Sequence, residues 1–292
     1  MNGNNSESIR KSHQPEQQSS LSISSRALAL SYLITSKADS MLGISEQTFC
    51  PTPPELSHLK ELPLEIQQRY LKVQKDGSFI DKEFPHKPQS LGGLDYQIKI
   101  KPFLDSLIWL RPDSFLGKGF KLFDGIHPND AKQGLLGVCY CLATISTLAY
   151  DPEEIKLIFP FHDVSLGFYV LRFYTGGKPN YVVVDDFFPC NASSFQPLFS
   201  KPIGREVWVL LIEKAWAKLI GSYYAAELMT PDQFMEDLTG YPTTGAYFGK
   251  KKEPLKDILE CSRRGYPIVL TSSSRRMEGI VSNHAYSLLR VH

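Results

Sequence analysis

The chain lacks a charge excess, a membrane-length apolar run and a patterned set of cysteines, and each absence removes a class of protein. Lys and Arg number 32 against 31 Asp and Glu, a formal net charge of +1. That balance excludes a nucleic-acid-coating or polybasic membrane-surface protein. The apolar stretch Ala27 to Thr35 is too short to span a bilayer and reads as a short helix, so no transmembrane segment is expected. The first 25 residues are rich in Ser, Asn and Gln and lack the basic-then-apolar start of a secretory signal, so a cytoplasmic location is expected. The five cysteines, Cys50, Cys139, Cys141, Cys190 and Cys261, are odd in number and unpatterned. They exclude a disulfide framework and fit a reducing compartment. Cys139 and Cys141 are too close for a zinc knuckle. Gly117-Lys118-Gly119 lacks the spacing of a phosphate loop, so no nucleic-acid or nucleotide partner is expected. In such a compartment the acceptor triplet Asn191-Ala192-Ser193 would never be glycosylated.

What is present is a folding composition: 42% apolar and 12% aromatic residues over 292 positions. Residues 1–25 read as a disordered tail. Residues 26–77 read as a partly helical extension, broken at Pro51-Thr52-Pro53-Pro54, with a helix over Pro63 to Gln74 carrying Leu64, Ile66, Tyr70 and Leu71 at helical spacing. The segment from Asp81 to Pro112 reads as an irregular, aromatic loop around a core, and Asp124 to Asp130 as turns. Cys139 to Tyr150 predicts a buried helix with Leu142, Ile145, Leu148 and Ala149 on one face. Gly167–Tyr174 and Tyr181–Asp185 predict a hairpin joined by Thr175 to Asn180. Arg205 to Ile220 is the strongest helix signal, and Leu255 to Cys261 a shorter one. Pro267 to Thr271 and Gly279 to Val291 read as strands. Helices with a hairpin, then strands, predict an α+β fold.

The chemistry concentrates in Gln133-Gly134-Leu135-Leu136-Gly137-Val138-Cys139-Tyr140. Gly137 allows a sharp turn into a helix that Cys139 opens. A helix N-terminus favours a thiolate, and a nearby protonated histidine favours it more. The free N–H of Cys139 and the side-chain amide of Gln133 could together take a developing oxyanion. His284 lies 145 residues beyond Cys139, within the Cys-to-His range of papain-like thiol proteases. For Cys141, facing elsewhere on the helix, a structural core role is expected.

These residues resemble the protease core of the calpain family. The resemblance rests on the Gln133-to-Cys139 motif, on Gly279-x-Val281-x-x-His284-Ala285-Tyr286-Ser287, and on Glu213-Lys214-Ala215-Trp216-Ala217-Lys218. Val183-Val184-Asp185-Asp186 with Pro189, Asp237-Leu238-Thr239-Gly240, Phe84-Pro85, Ser90-Leu91 and Trp109-x-Arg111-Pro112 add to it, in the family's order, over residues 78–292. The resemblance implies a papain-like fold with a helical lobe over 78–245 carrying Cys139. It implies the start of an incomplete β lobe over 246–292 carrying His284. The activity implied is hydrolysis of internal peptide bonds of protein substrates, with Cys139 and His284 catalytic and Gln133 in the oxyanion hole. Calcium is the implied cofactor, held by the carbonyls of Phe123 and Gly125 and the carboxylate of Asp130.

Three departures from the family pattern accompany the resemblance. Val138 and Tyr140 stand where the family has Asp and Trp. A further calcium-binding glutamate, expected shortly before the Trp208 helix, falls at Ile203 or a close neighbour, so the calcium site is expected to be incomplete. The Asn that orients the histidine is absent from the eight residues after His284. The expectation is a chain truncated after its base, with further C-terminal domains missing, or alternatively a non-catalytic binding or scaffold relative.

Overall fold

A computed structural model describes residues 56–93, 106–245, 254–275 and 278–291. The expectations for residues 1–25, Ala27 to Thr35 and Cys50 lie outside the described residues. Helices α1 (Leu56–Leu59), α2 (Leu64–Asp76) and α3 (Pro88–Leu91) come first, then strand β1 (Leu107–Leu110) and α4 (Asp113–Leu116). Next are α5 (Cys139–Leu148) and α6 (Pro152–Lys156), then β2 (Phe161–Asp163), β3 (Phe168–Thr175), β4 (Lys178–Val184) and β5 (Phe188–Asn191). After them come α7 (Trp208–Ile220), α8 (Tyr223–Ala226), α9 (Pro231–Thr239), α10 (Pro254–Arg263), β6 (Ile268–Thr271) and β7 (Ala285–Leu288). The fold is α+β, and residues Thr52–His292 form one compact unit.

The central sheet runs β2-β3-β4 and is antiparallel throughout. Its strands alternate sides, so successive residues join different cores. Tyr169, Leu171, Phe173, Val182 and Val184 enter the main core with α5, α7 and α9. Phe168, Val170 and Val183 face the other way, into a second cluster with Ile66, Tyr70 and Val73 of α2. Both faces are covered, which explains the unbroken apolar run Phe168–Leu171 at the start of β3. Of the apolar residues expected on α2, Ile66 and Tyr70 are buried, whereas Leu64 and Leu71 lie on its outer side at 72% and 53% exposure. Tyr70 also donates to Asp163 Oδ2 at 2.9 Å.

The hairpin is longer than its sequence suggests. Thr175 pairs with Lys178, so Gly176-Gly177 alone makes the turn, with φ of 56° and 73°. Two consecutive left-handed residues match the twist of a tight hairpin, and glycine takes them without strain. The segment expected to be an irregular loop contains β1, which pairs antiparallel with β5. The expected Gly279–Val291 strand shortens to Ala285–Leu288, because Asn283 just before it is left-handed at φ 52°. The main helix starts at Trp208 rather than Arg205, with Trp208 to Ala217 buried.

The β6–β7 pair packs on α5. Ser146 Oγ donates to Ser287 Oγ at 3.2 Å, and Thr147 Oγ1 to the Ile268 carbonyl at 3.3 Å. A buried ionic cluster braces the base of α7. Lys214 and Asp185 are wholly buried partners, and Lys218 bonds Asp81 at 2.8 Å and the Val183 carbonyl at 2.7 Å. Among the described residues no helix is long and apolar enough to cross a membrane.

Candidate active site

The turn before α5 is held from both ends. Leu136 and Val138 are wholly buried, which pins the turn by its apolar side chains. Val138 thus anchors the turn through apolar packing. Gly134 is required by close approach: a Cβ there would fall 1.8 Å from the Phe199 carbonyl oxygen. The Leu135 N–H donates to the Leu198 carbonyl at 3.0 Å, and the Lys201 N–H to the Lys132 carbonyl at 2.8 Å. The Gln133 turn is therefore laced to residues 198–201.

Cys139 is the first residue of α5 and is half-buried. No side chain caps this helix. Its first N–H groups have no intrahelical acceptor, so the positive end of the helix is open beside the thiol. Gln133 is exposed and donates from Nε2 to the Leu136 carbonyl at 2.8 Å. Its amide carries a second N–H. Cys141 is wholly buried, and burial holds its thiol well above the usual range, as a core residue requires. Tyr140 fills its site completely. Its hydroxyl donates to the Ala226 carbonyl at 2.5 Å and accepts the Trp216 indole N–H at 2.9 Å. Burial pushes that phenol far above its ordinary value.

Glu227 was not signalled by the sequence. Its Oε1 accepts the Gly137 N–H at 3.0 Å, across 90 residues. No local pattern marks a carboxylate after a four-residue helix as a partner of that turn.

His284 is half-buried and immediately precedes β7. Ser272 clamps its backbone: Ser272 Oγ accepts the His284 N–H at 3.0 Å, and the Ser272 N–H donates to the His284 carbonyl at 2.9 Å. Its ring meets Tyr286 edge-on at 5.0 Å, and the Tyr286 hydroxyl accepts the Val281 N–H at 2.9 Å. Ala285 packs into the main core at 6% exposure. Among the described residues no hydrogen bond or ring contact joins Cys139 to His284. Their elements are nonetheless in register. Ser287 lies on Ser146, while Ile268, the partner of Leu288, lies on Thr147. Three strand residues back from Ser287 to His284 span roughly 10 Å. Seven helix residues back from Ser146 to Cys139 span about the same distance.

Asp130 is buried at 6% exposure, and its Oδ2 accepts the His127 N–H at 2.6 Å. Shortly before α7 lies a buried carboxyl, Glu206, at 5% exposure. Because α7 starts late, Glu206 is extended and bridges to Lys121. Glu206 Oε2 accepts the Asp124 N–H at 2.7 Å. Burial, and then the neighbouring Asp130 carboxyl, push its pKa up to about 7 against the pull of that N–H. Lys121, whose backbone bridges to Glu206, pairs its side chain with Asp124. The turn between them carries Gly125 at φ 110°. Among the described residues neither the Phe123 nor the Gly125 carbonyl accepts a hydrogen bond. Two buried carboxyls beside unbonded carbonyls are a set of hard oxygen donors, which suits calcium. Among the described residues no three His, Cys, Asp or Glu side chains are grouped so that they alone could hold a metal ion.

A thiol at an open helix N-terminus, with a histidine-bearing strand on the same helix, defines a candidate thiol-hydrolase site. Residues 79–292 match the model of the calpain family of cysteine proteases, and the chain belongs to that family. It is 30% identical over 240 residues to the calpain-type cysteine protease DEK1 of Arabidopsis thaliana, covering 76% of this chain and 11% of that protein. Against the calpain-1 catalytic subunit of Homo sapiens the identity is 30% over 252 residues, covering 79% of this chain and 34% of the relative. Against calpain-13 of Rattus norvegicus it is 30% over 222 residues, covering 72% and 33%. The chain thus spans about a third or less of the length of these relatives.

Proposed function

We propose that this chain is the peptide-cutting core of a calpain-type cysteine endopeptidase acting on protein substrates in the cytoplasm. The observation that carries the reading is the uncapped N-terminus of α5 at Cys139, with the His284-bearing strand seated on the same helix. The Cys139 thiolate attacks the scissile carbonyl carbon, forming the C–S bond and moving the carbonyl electrons onto oxygen. The Cys139 N–H and the second N–H of the Gln133 amide receive that oxyanion. His284 donates its proton to the leaving amine as the C–N bond breaks, then takes a proton from water as water displaces the thiolate. The nucleophile belongs to a lobe over 78–245, and His284 to the start of a second lobe over 246–292. The length of the relatives supports further domains beyond it. Calcium would be held by the Phe123 and Gly125 carbonyls and the Asp130 and Glu206 carboxylates. Bound there, it would set a divalent positive charge against the two buried carboxyls.

A non-cutting, binding-only reading is favoured by one observation: the Gln133 amide turns inward to Leu136. One assay separates the two. The chain is treated with an epoxysuccinyl thiol-protease inhibitor and tested for casein hydrolysis with and without calcium. Labelling at Cys139 and hydrolysis, both lost in Cys139→Ala, are expected. A folded chain that neither labels nor hydrolyses casein would sink the protease reading.

A further inference from the structure

A small cavity of about 10 Å³ lies between α7 and residues 197–200. Its walls are Phe188, Phe199, Leu210 and Tyr223, and its polar lining is Ser200 and Glu213. Glu213 is 3% exposed and Ser200 1%. Among the described residues Glu213 Oε1 and Ser200 Oγ are both buried without a hydrogen-bond partner. The other carboxyl oxygen, Oε2, accepts the Ser200 N–H at 3.0 Å. Two unpaired polar atoms lining one cavity is an unfavourable arrangement for a dry interior. The volume is about that of one water-sized probe, and water in such sites bonds to otherwise unsatisfied groups.

The cavity sits at the root of the nucleophile turn. Ser200 adjoins Phe199, whose carbonyl lies against Gly134. Lys201 and Leu198 on either side bond to Lys132 and Leu135. Three residues along α7 from Glu213, Trp216 holds the Tyr140 hydroxyl. Helix α7 therefore grips the segment before Cys139 through Glu213 and the residue after it through Trp216.

We propose that the cavity binds one water molecule bridging Glu213 Oε1 and Ser200 Oγ, and that Glu213 thereby acts as a positioning residue for the Gln133–Cys139 turn. The positioning role rests on Cys139 being the nucleophile; the water site does not. Burial raises the Glu213 carboxyl to about 7, with Ser200 and Lys201 pulling the other way. Tyr140, Cys141 and Tyr223 also feel its charge, and Lys201 is the cation among these groups. Once ionised, the carboxylate is the stronger acceptor for the Ser200 N–H.

Two measurements test this. A high-resolution crystal structure of the chain is expected to show one ordered water within hydrogen-bond reach of both atoms. A dry cavity, or Ser200 Oγ bonded directly to Glu213 Oε1, overturns the water site. The second measurement is the iodoacetamide alkylation rate of the Cys139 peptide, followed by mass spectrometry across neutral pH. The wild-type rate is expected to rise with a step near pH 7 that Glu213→Gln lacks, the variant being about tenfold slower above the step. Ser200→Ala keeps the backbone bond to Glu213 and loses the side-chain partner of the water. It is expected to fall between the two, and it carries the test alone if Glu213→Gln does not fold. Superimposable profiles for the wild type and a folded variant overturn the positioning role. A wild-type profile with the step but no casein hydrolysis sinks the protease reading alone.

Discussion

Replacing Lys214 by methionine should bring the protein close to unfolding. Lys214 and Asp185 are each wholly buried and form an ion pair. The ammonium also donates to the Phe187 carbonyl at 2.7 Å. Asp185 accepts the Asp81 N–H at 2.7 Å and the Phe187 N–H at 3.1 Å, so it joins the chain ahead of the main core to the start of β5. Methionine is close to the lysine stem in volume, so the loss comes from the charge and from the bond to the Phe187 carbonyl rather than from a cavity. A buried anion left without its cation costs about 3–5 kcal/mol. That is a large share of the 5–15 kcal/mol that typically holds a domain folded. Urea unfolding followed by tryptophan fluorescence suits the measurement, because Trp208 and Trp216 are both wholly buried. The midpoint should fall with the slope unchanged. Adding Asp185→Asn should restore part of the loss, since the uncompensated charge is then gone. A loss under about 1 kcal/mol for the single variant, or strictly additive losses in the double variant, would refute the reasoning.

Three further outcomes are expected. Gly134→Ala places a Cβ 1.8 Å from the Phe199 oxygen. It should cost about 1–3 kcal/mol or more by calorimetry, and an unchanged melting temperature would contradict the close approach. Calcium should raise the melting temperature of the wild type but not of Glu206→Gln; a rise that survives the substitution would remove Glu206 as a donor. Glu213 keeps its proton up to about 7 when folded against an ordinary 4.5. Between those values the folded state binds more proton than the unfolded, so stability should fall by about 3 kcal/mol as pH rises through that window. Glu213→Gln should flatten that slope, and a slope equal to wild type would show that the carboxyl titrates normally.

Particular residues mark how far the chain could be read without its structure. Cys139 at the head of a helix and the apolar stripe of Trp208–Ile220 were legible because they are local patterns of period 3.6. The hairpin was legible too, but Pro179 and Asn180 have turn-like chemistry and hide the first residues of β4. Pro179 is accommodated because β4 is an edge strand, where a missing donor leaves no ladder bond unmade. The short strands β1 and β5 left no signal, since each is four residues long and exists by pairing with the other across about 80 positions.

Glu206 shows the limit most clearly. Counted as a helix residue, it has no evident role. The late start of α7 leaves it extended against Lys121 and beside Asp130. The sequence by itself determined the α+β class, the helix headed by Cys139 and the family, because periodicity and short motifs are written in adjacent residues. Only the tertiary structure decided that Glu227 would reach Gly137, that Glu213 would underpin the Gln133 turn, and that Ser287 would seat the His284 strand on α5. Those pairings lie from 13 to 141 residues apart. They form only when burial of the apolar faces offsets the entropy of closing the loops between them.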